Sequence, residues 1–199
     1  NIIGATAEQQ RRIKQAQQAV AEVVEREIKA QGIEHDAEGN RIKALLHCLE
    51  TRCPETGWMV PMSTTWVVSK IRSTIARLEP DDANKRFHIR IVSGATPDEL
   101  AAASEGTIQS SHLVYELEGQ TYRTPVKTLR GDYRLADGTT GNRLRQWDRS
   151  DFKPRADDIL QERLFAIQWV THDTVDAGRQ ETYFAAPTEA DLAREQKVE

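Results

Sequence analysis

A chain of 199 residues is long enough to bury a sizeable core, in one domain or in two small ones that share an interface. Hydrophobic residues make up 38% and charged residues 29%, and no apolar run approaches the ~18 residues of a membrane-spanning helix, so a soluble protein with no membrane partner is expected. A net charge of -4 excludes a uniformly basic nucleic-acid binder.

The amino-terminal stretch opens with Thr6-Ala-Glu-Gln9, a capping-box pattern. Ile13, Ala16, Val20, Val24 and Ile28 then recur at helical spacing, which predicts one long amphipathic helix from about Ala7 to Gln31. Its other face, with Arg11, Arg12, Lys14, Glu25 and Arg26, reads most simply as a solvated surface. Asp36 to Asn40 is a turn-rich loop, and Ile42 to Arg52 reads as a strand with Ala44, Leu46 and Cys48 on one side.

Leu45 to Met62, LLHCLETRCPETGWMVPM, holds both cysteines and looks like a hairpin built on a knuckle, with Gly57 at the bend. A metal-binding knuckle needs a second cysteine where this one has Glu55-Thr56, and no other Cys-x-x-Cys completes a site. His47, Cys48, Cys53 and His112 make a poor ligand set, because His47 and Cys48 are adjacent strand residues that point to opposite faces. No metal is expected, and packing from Trp58 is expected to fill the knuckle. Without a basic-then-apolar leader, and with two cysteines too few for a disulfide framework, a reducing cytoplasm is the expected compartment.

Trp66 to Val68, Thr74 to Leu78 and Phe87 to Val92 read as further strands, with Pro80 to Asn84 as a turn. Thr96-Pro97-Asp98-Glu99 starts a short helix that ends near Ser104. His112 to Leu117 and Gln120 to Pro125 form a hairpin around Glu118-Gly119. Gly131 to Lys153 has little periodic apolar character and reads as an exposed loop. Asp157-Asp158 reads as the cap of a short helical turn, Arg163 to Thr171 and Glu181 to Ala186 as paired strands, and Thr188 to Val198 as a helix. Opening at Asn1 without a methionine and stopping inside that helix, the chain is expected to be a piece of a longer protein.

Charge is unevenly spread. From Arg123 to Arg155 nine basic residues face four acidic ones, an excess of +5 that leaves -9 elsewhere. The candidate nucleic-acid contacts are Lys127, Arg130, Arg134, Arg143, Arg145, Trp147, Arg149, Lys153 and Arg155. Arginines offer phosphate a planar donor fork and an indole offers a base a stacking surface. If 143–149 is extended, Arg143, Arg145, Trp147 and Arg149 share one face. The residues leave a second reading open, in which arginine–aspartate pairs knit the loop together and Trp147 anchors it.

The strings ETRCPETGWMVPM, TTWVVSK, GDYRLADGTTGNRLRQWDRSDFKPRADDILQERLFAIQWV and YFAAPTEADLAREQKV resemble the middle of a family of bacterial adenine-specific DNA methyltransferases. These are large proteins, often encoded in anti-phage defence loci, with an amino-terminal domain of unknown function. The resemblance covers most of the chain from about Ile33. It implies a parent that uses S-adenosylmethionine and acts on DNA, with the remaining parent domains and defence-system proteins as further partners. Relatives carry two cysteine knuckles that imply a zinc ribbon; here the first keeps Cys53 alone and the second, around Gly106 to Pro125, has no cysteine.

Methylation of adenine needs a glycine-rich cofactor turn and an Asn/Asp-Pro-Pro-aromatic loop for the flipped base. This chain has neither, so no catalytic residue is assigned, and no cofactor is expected in this fragment. The expected organisation is a connector helix over 1–32 and a single α+β domain over 33–199. That domain is mainly antiparallel sheet with hairpins and short helices, a degenerate knuckle at 45–62 and a basic loop at 126–156. Its expected role is to contact DNA or recognise the target within the parent, the alternative being a structural or partner-docking module of a defence complex.

Overall fold

The fold is taken from a computed structural model that describes Gly4 and residues 6–198. Helix α1 (Ala7–Gln31) starts where its capping box predicts: the Thr6 hydroxyl accepts the Gln9 N–H while the Gln9 side chain returns to the Thr6 N–H. It ends at Gly32 in the left-handed conformation that favours glycine. No residue of α1 is buried, and Val20, Val23 and Val24 stand open, so the helix projects as an arm rather than sealing a core.

Strands β1 (Arg41–Arg52), β2 (Met59–Met62), β3 (Val67–Ser69), β4 (Thr74–Asp81) and β5 (Arg86–Val92) follow. Helix α2 (Pro97–Ala103) then leads to β6 (Ile108–Gln109), β7 (His112–Leu117) and β8 (Gln120–Pro125). After them come α3 (Val126–Leu129), the short pair β9 (Tyr133–Arg134) and β10 (Thr140–Gly141), then β11 (Leu160–Val170), β12 (Thr182–Ala185) and α4 (Glu189–Glu195). The result is an α+β fold. A seven-stranded sheet runs β12-β11-β1-β2-β5-β4-β3, and β6-β7-β8 form a second sheet of three strands. Pairing is antiparallel except where β2 meets β5 in parallel, at Met59 opposite Arg86.

Alternation along the strands decides which face is covered. On β5, Phe87 and Ile89 are buried while His88 and Arg90 face water, and on the second half of β1 Cys48 and Glu50 are buried between exposed His47 and Leu49. Trp58, Val60 and Phe87 from the large sheet pack on Leu113, Tyr115 and Leu117 from the small one, with Cys53 and Leu129 buried in the same cluster. Trp58 lies 5.3 Å from Phe87, and Tyr115 meets Phe87 edge-on at 6.0 Å, distances at which aromatic rings attract beyond simple burial. Elsewhere on the sheet, Trp66 crosses Phe165 at right angles beside Cys48, Ala76 and Ile89.

Two expectations are corrected. Strand β4 continues through Pro80 to Asp81, so the turn starts only at Asp82. Proline is tolerated there because β3 pairs only as far as Ile75, leaving the neighbouring edge of β4 open beside Pro80. Asp157-Asp158 caps no helical turn; the chain there has no regular structure and Asp158 turns its carboxylate to Arg145.

Gly106, between α2 and β6, lies tight against the backbone of the β2–β3 connection. A Cβ added to it would sit 2.0 Å from the Ser63 carbonyl oxygen and 2.4 Å from the Thr64 carbonyl carbon. Around it the Gly106 N–H donates to Thr64 O (3.1 Å), the Ile108 N–H to Ser63 O (2.8 Å), and the Thr107 hydroxyl to Pro61 O (2.6 Å).

The knuckle closes as a tight turn, with the Gly57 N–H donating to Cys53 O and the Cys53 N–H to Trp58 O, both at 2.8 Å, and Gly57 at a φ of 73°. Hydroxyls surround the fully buried Cys53 thiol: Thr124 lies 3.5 Å from Sγ, and Thr56 and Tyr115 bond each other at 2.7 Å. Burial alone would raise the Cys53 pKa, but hydrogen bonds from Tyr115, Thr124 and the backbone N–H groups of Thr56 and Glu55 outweigh it and hold the thiol below its ordinary value. At Cys48 burial outweighs the nearby Arg163 charge and a backbone hydrogen bond and pushes the thiol up to about 12. Among the described residues no group of three or more His, Cys, Asp or Glu side chains gathers as a metal would require.

Candidate nucleic-acid interface

Between Pro125, which ends β8, and Leu160, which opens β11, the chain makes a long excursion over the surface. It contains α3, the miniature β9–β10 pair, and an irregular strap over 142–159. Such a length without regular structure needs internal ties, and here carboxylates supply them. Arg145 forks onto Asp158 through Nε and Nη2, both at 2.7 Å, and its Nη1 meets Asp151. Asp151 also accepts the Asp148 N–H at 2.7 Å and the Arg155 Nε at 3.1 Å. Asp158 accepts the Arg155 N–H at 2.9 Å, while Gln161 donates to the carbonyls of Arg155 and Asp158. Thr51 of β1 then anchors the end of the strap by donating to Ile159 O at 2.9 Å.

This knot shifts its own acids. The Asp148 N–H, then the Arg145 guanidinium, hold the Asp151 carboxyl down at about 2. Asp158 is lowered by Arg145, whose own pKa rises in turn, first through Asp158 and then Asp151. The folded pKa of Asp151 lies below its unfolded value of roughly 3.9, so its contribution to order is complete above that value and is lost as pH falls towards 2. A carbon-13 carboxyl titration is expected to give Asp151 a midpoint near 2, and a higher one in Arg145→Ala, where the Asp148 N–H and Arg155 still hold it down in part. A native midpoint near 3.9 would mean the knot does not form.

The candidate residues divide by what holds them. Arg130 is paired with Asp132 at 2.6 Å, Arg145 with Asp151 and Asp158, and Arg155 with Asp151 at 3.0 Å. By contrast Lys127 on α3, Arg134 on β9, Arg143 and Arg149 are exposed and form no side-chain ion pair among the described residues, and Arg123 on β8 joins them. Lys153 is exposed beside Phe152. The stretch 142–148 is not a strand, so the single face expected for Arg143, Arg145, Trp147 and Arg149 is not formed by alternation. Instead the aliphatic part of Arg143 lies over Gly131, and Trp147, 52% exposed, leans on the Arg145 guanidinium at 6.0 Å.

Two aromatic rings escaped the sequence reading. Phe152 is 88% exposed and Tyr133 is also open, each beside a cation, Lys153 and Arg134 respectively. The signal was present: both are aromatic residues inside a stretch with no apolar period to bury them. Residues 150–156 curve around an open hollow of about 640 Å³ lined by Phe152, Lys153, Pro154 and Arg155. No described helix is long and apolar enough to cross a membrane. No protein-family model, curated protein or solved structure matches the chain.

Proposed function

We propose that this chain is a DNA-contacting module of an adenine-specific DNA methyltransferase, gripping the substrate while methyl transfer from S-adenosylmethionine is left to other parts of the parent. The observation that carries the reading is the set of five cations, Arg123, Lys127, Arg134, Arg143 and Arg149, that lack carboxylate partners among the described residues. Lys127, Arg134, Arg143 and Arg149 share one surface excursion with the open rings of Tyr133, Trp147 and Phe152, and Arg123 stands on the strand that leads into it. Cations release counterions from phosphate and rings stack on bases, so the combination suits nucleic acid better than either feature alone. The carboxylate knot serves this role by holding the strap in shape before any ligand arrives.

A second reading, a docking module for a partner protein in a defence complex, is favoured by α1, whose valines face water along an exposed helix. Fluorescence anisotropy of a labelled duplex at several salt concentrations separates the two. Binding is expected to weaken with salt, and Arg143→Glu/Arg149→Glu is expected to weaken it further and to reduce the log–log salt slope by about 2. Arg145 is left untouched in this test because its loss would unpick the strap. Absence of binding at low salt would exclude the DNA reading and leave the docking one.

A further inference from the structure

Phe152 is the most exposed aromatic ring of the strap, and its surroundings are built rather than slack. The residue before it, Asp151, has a side chain only 8% exposed, fixed by the Asp148 N–H, Arg145 and Arg155. Two residues after it, Pro154 restricts its own backbone φ. A ring left in water by a loop that is fastened on both sides is presented, not merely unburied. The crook around it is concave, about 640 Å³, and Lys153 and Arg155 line it together with the ring. That places an aromatic face beside the Asp151–Arg155 pair, around a space in the range of small-ligand sites.

Nucleic acid offers such a space one natural occupant. Within an intact duplex both faces of every base are covered by stacking, so an aromatic side chain finds a free face only where a base has left the stack or a step has been opened. We infer that Phe152 stacks on an unpaired base, so that this interface prefers DNA carrying an extrahelical nucleotide to fully paired DNA. The inference rests on the DNA-contacting reading and adds to it the structural state of the DNA.

The test uses the whole chain with three probes: a paired duplex, the same duplex with one bulged adenine, and vesicles of anionic phospholipid. The bulged duplex is expected to bind more tightly than the paired one. Phe152→Ala is expected to weaken binding of the bulged duplex by roughly 5- to 150-fold, Phe152→Trp to preserve it, and neither to move the melting temperature. Equal binding of both duplexes, unchanged in Phe152→Ala, would overturn the stacking role and leave the DNA reading standing. No binding of either duplex would overturn both. Phe152-dependent binding to vesicles without any preference between the duplexes would assign the ring to a lipid surface instead. A lower melting temperature in Phe152→Ala would show a packing role and also overturn the inference.

Discussion

Gly106→Ala is expected to destabilise the protein by at least about 3 kcal/mol, because the added methyl has no room and its neighbours are backbone. The Ser63 carbonyl oxygen at 2.0 Å and the Thr65 nitrogen at 2.6 Å belong to the connection between β2 and β3, and neither can swing aside as a side chain would. Relief requires the α2–β6 linker to lift. That breaks the Gly106 and Ile108 N–H bonds to Thr64 and Ser63 and pulls Thr107 off Pro61. Equilibrium urea unfolding measures the loss. A variant within about 0.5 kcal/mol of the parent chain would mean that the two sheets are not fastened there.

Glu50→Ala is expected to cost about 3–5 kcal/mol, read as a fall of roughly 10 °C in melting temperature. The Glu50 carboxylate, on β1 and 7% exposed, separates two guanidiniums: Arg86 reaches Oε1 and Arg163 reaches Oε2, each at 3.3 Å. Arg163 also donates to Phe87 O at 2.7 Å, so one arginine joins β11, β1 and β5. Burial, then repulsion from Arg86, lowers the Arg163 pKa, yet guanidinium keeps its proton. Removing Glu50 leaves two like charges with no acid between them. The double variant Glu50→Leu/Arg163→Met is expected to recover most of the loss, since replacing a buried pair by apolar groups costs less than orphaning one member. A double variant no more stable than Glu50→Ala would refute this account.

What could be read from the chain was what its local chemistry decides. Thr6, Thr96 and Thr188 each sit three residues before a Gln, Glu or Asp, and all three open helices with both reciprocal bonds made. The alternation of Phe87 and Ile89 with His88 and Arg90 likewise named the buried face of β5. Pairings between distant segments were not legible. Nothing near Met59 announces its parallel meeting with Arg86, and nothing in 142–148 reveals that Arg145 finds Asp158 while Arg143 does not. Sequence spacing gave the arginines as alternate residues of an extended strand; folding sorted them by which carboxylates came within reach. The open ring of Phe152 was overlooked for the opposite reason, since exposure of an aromatic side chain runs against the burial that composition leads one to expect.

The β1–β11 pairing has a consequence for the order of events during synthesis. Leu45 lies opposite Ile167, so β1, an interior strand of the large sheet, waits with one edge unpaired until β11 has left the ribosome. Everything between, the small sheet and the surface excursion included, is enclosed by that late closure. Enclosed length is cheap, since each doubling of a flexible loop adds only about 0.6 kcal/mol of closure entropy. The excursion can therefore lengthen or shorten between related sequences while the frame that seals it stays the same, which makes it the part of the molecule freest to acquire new contacts.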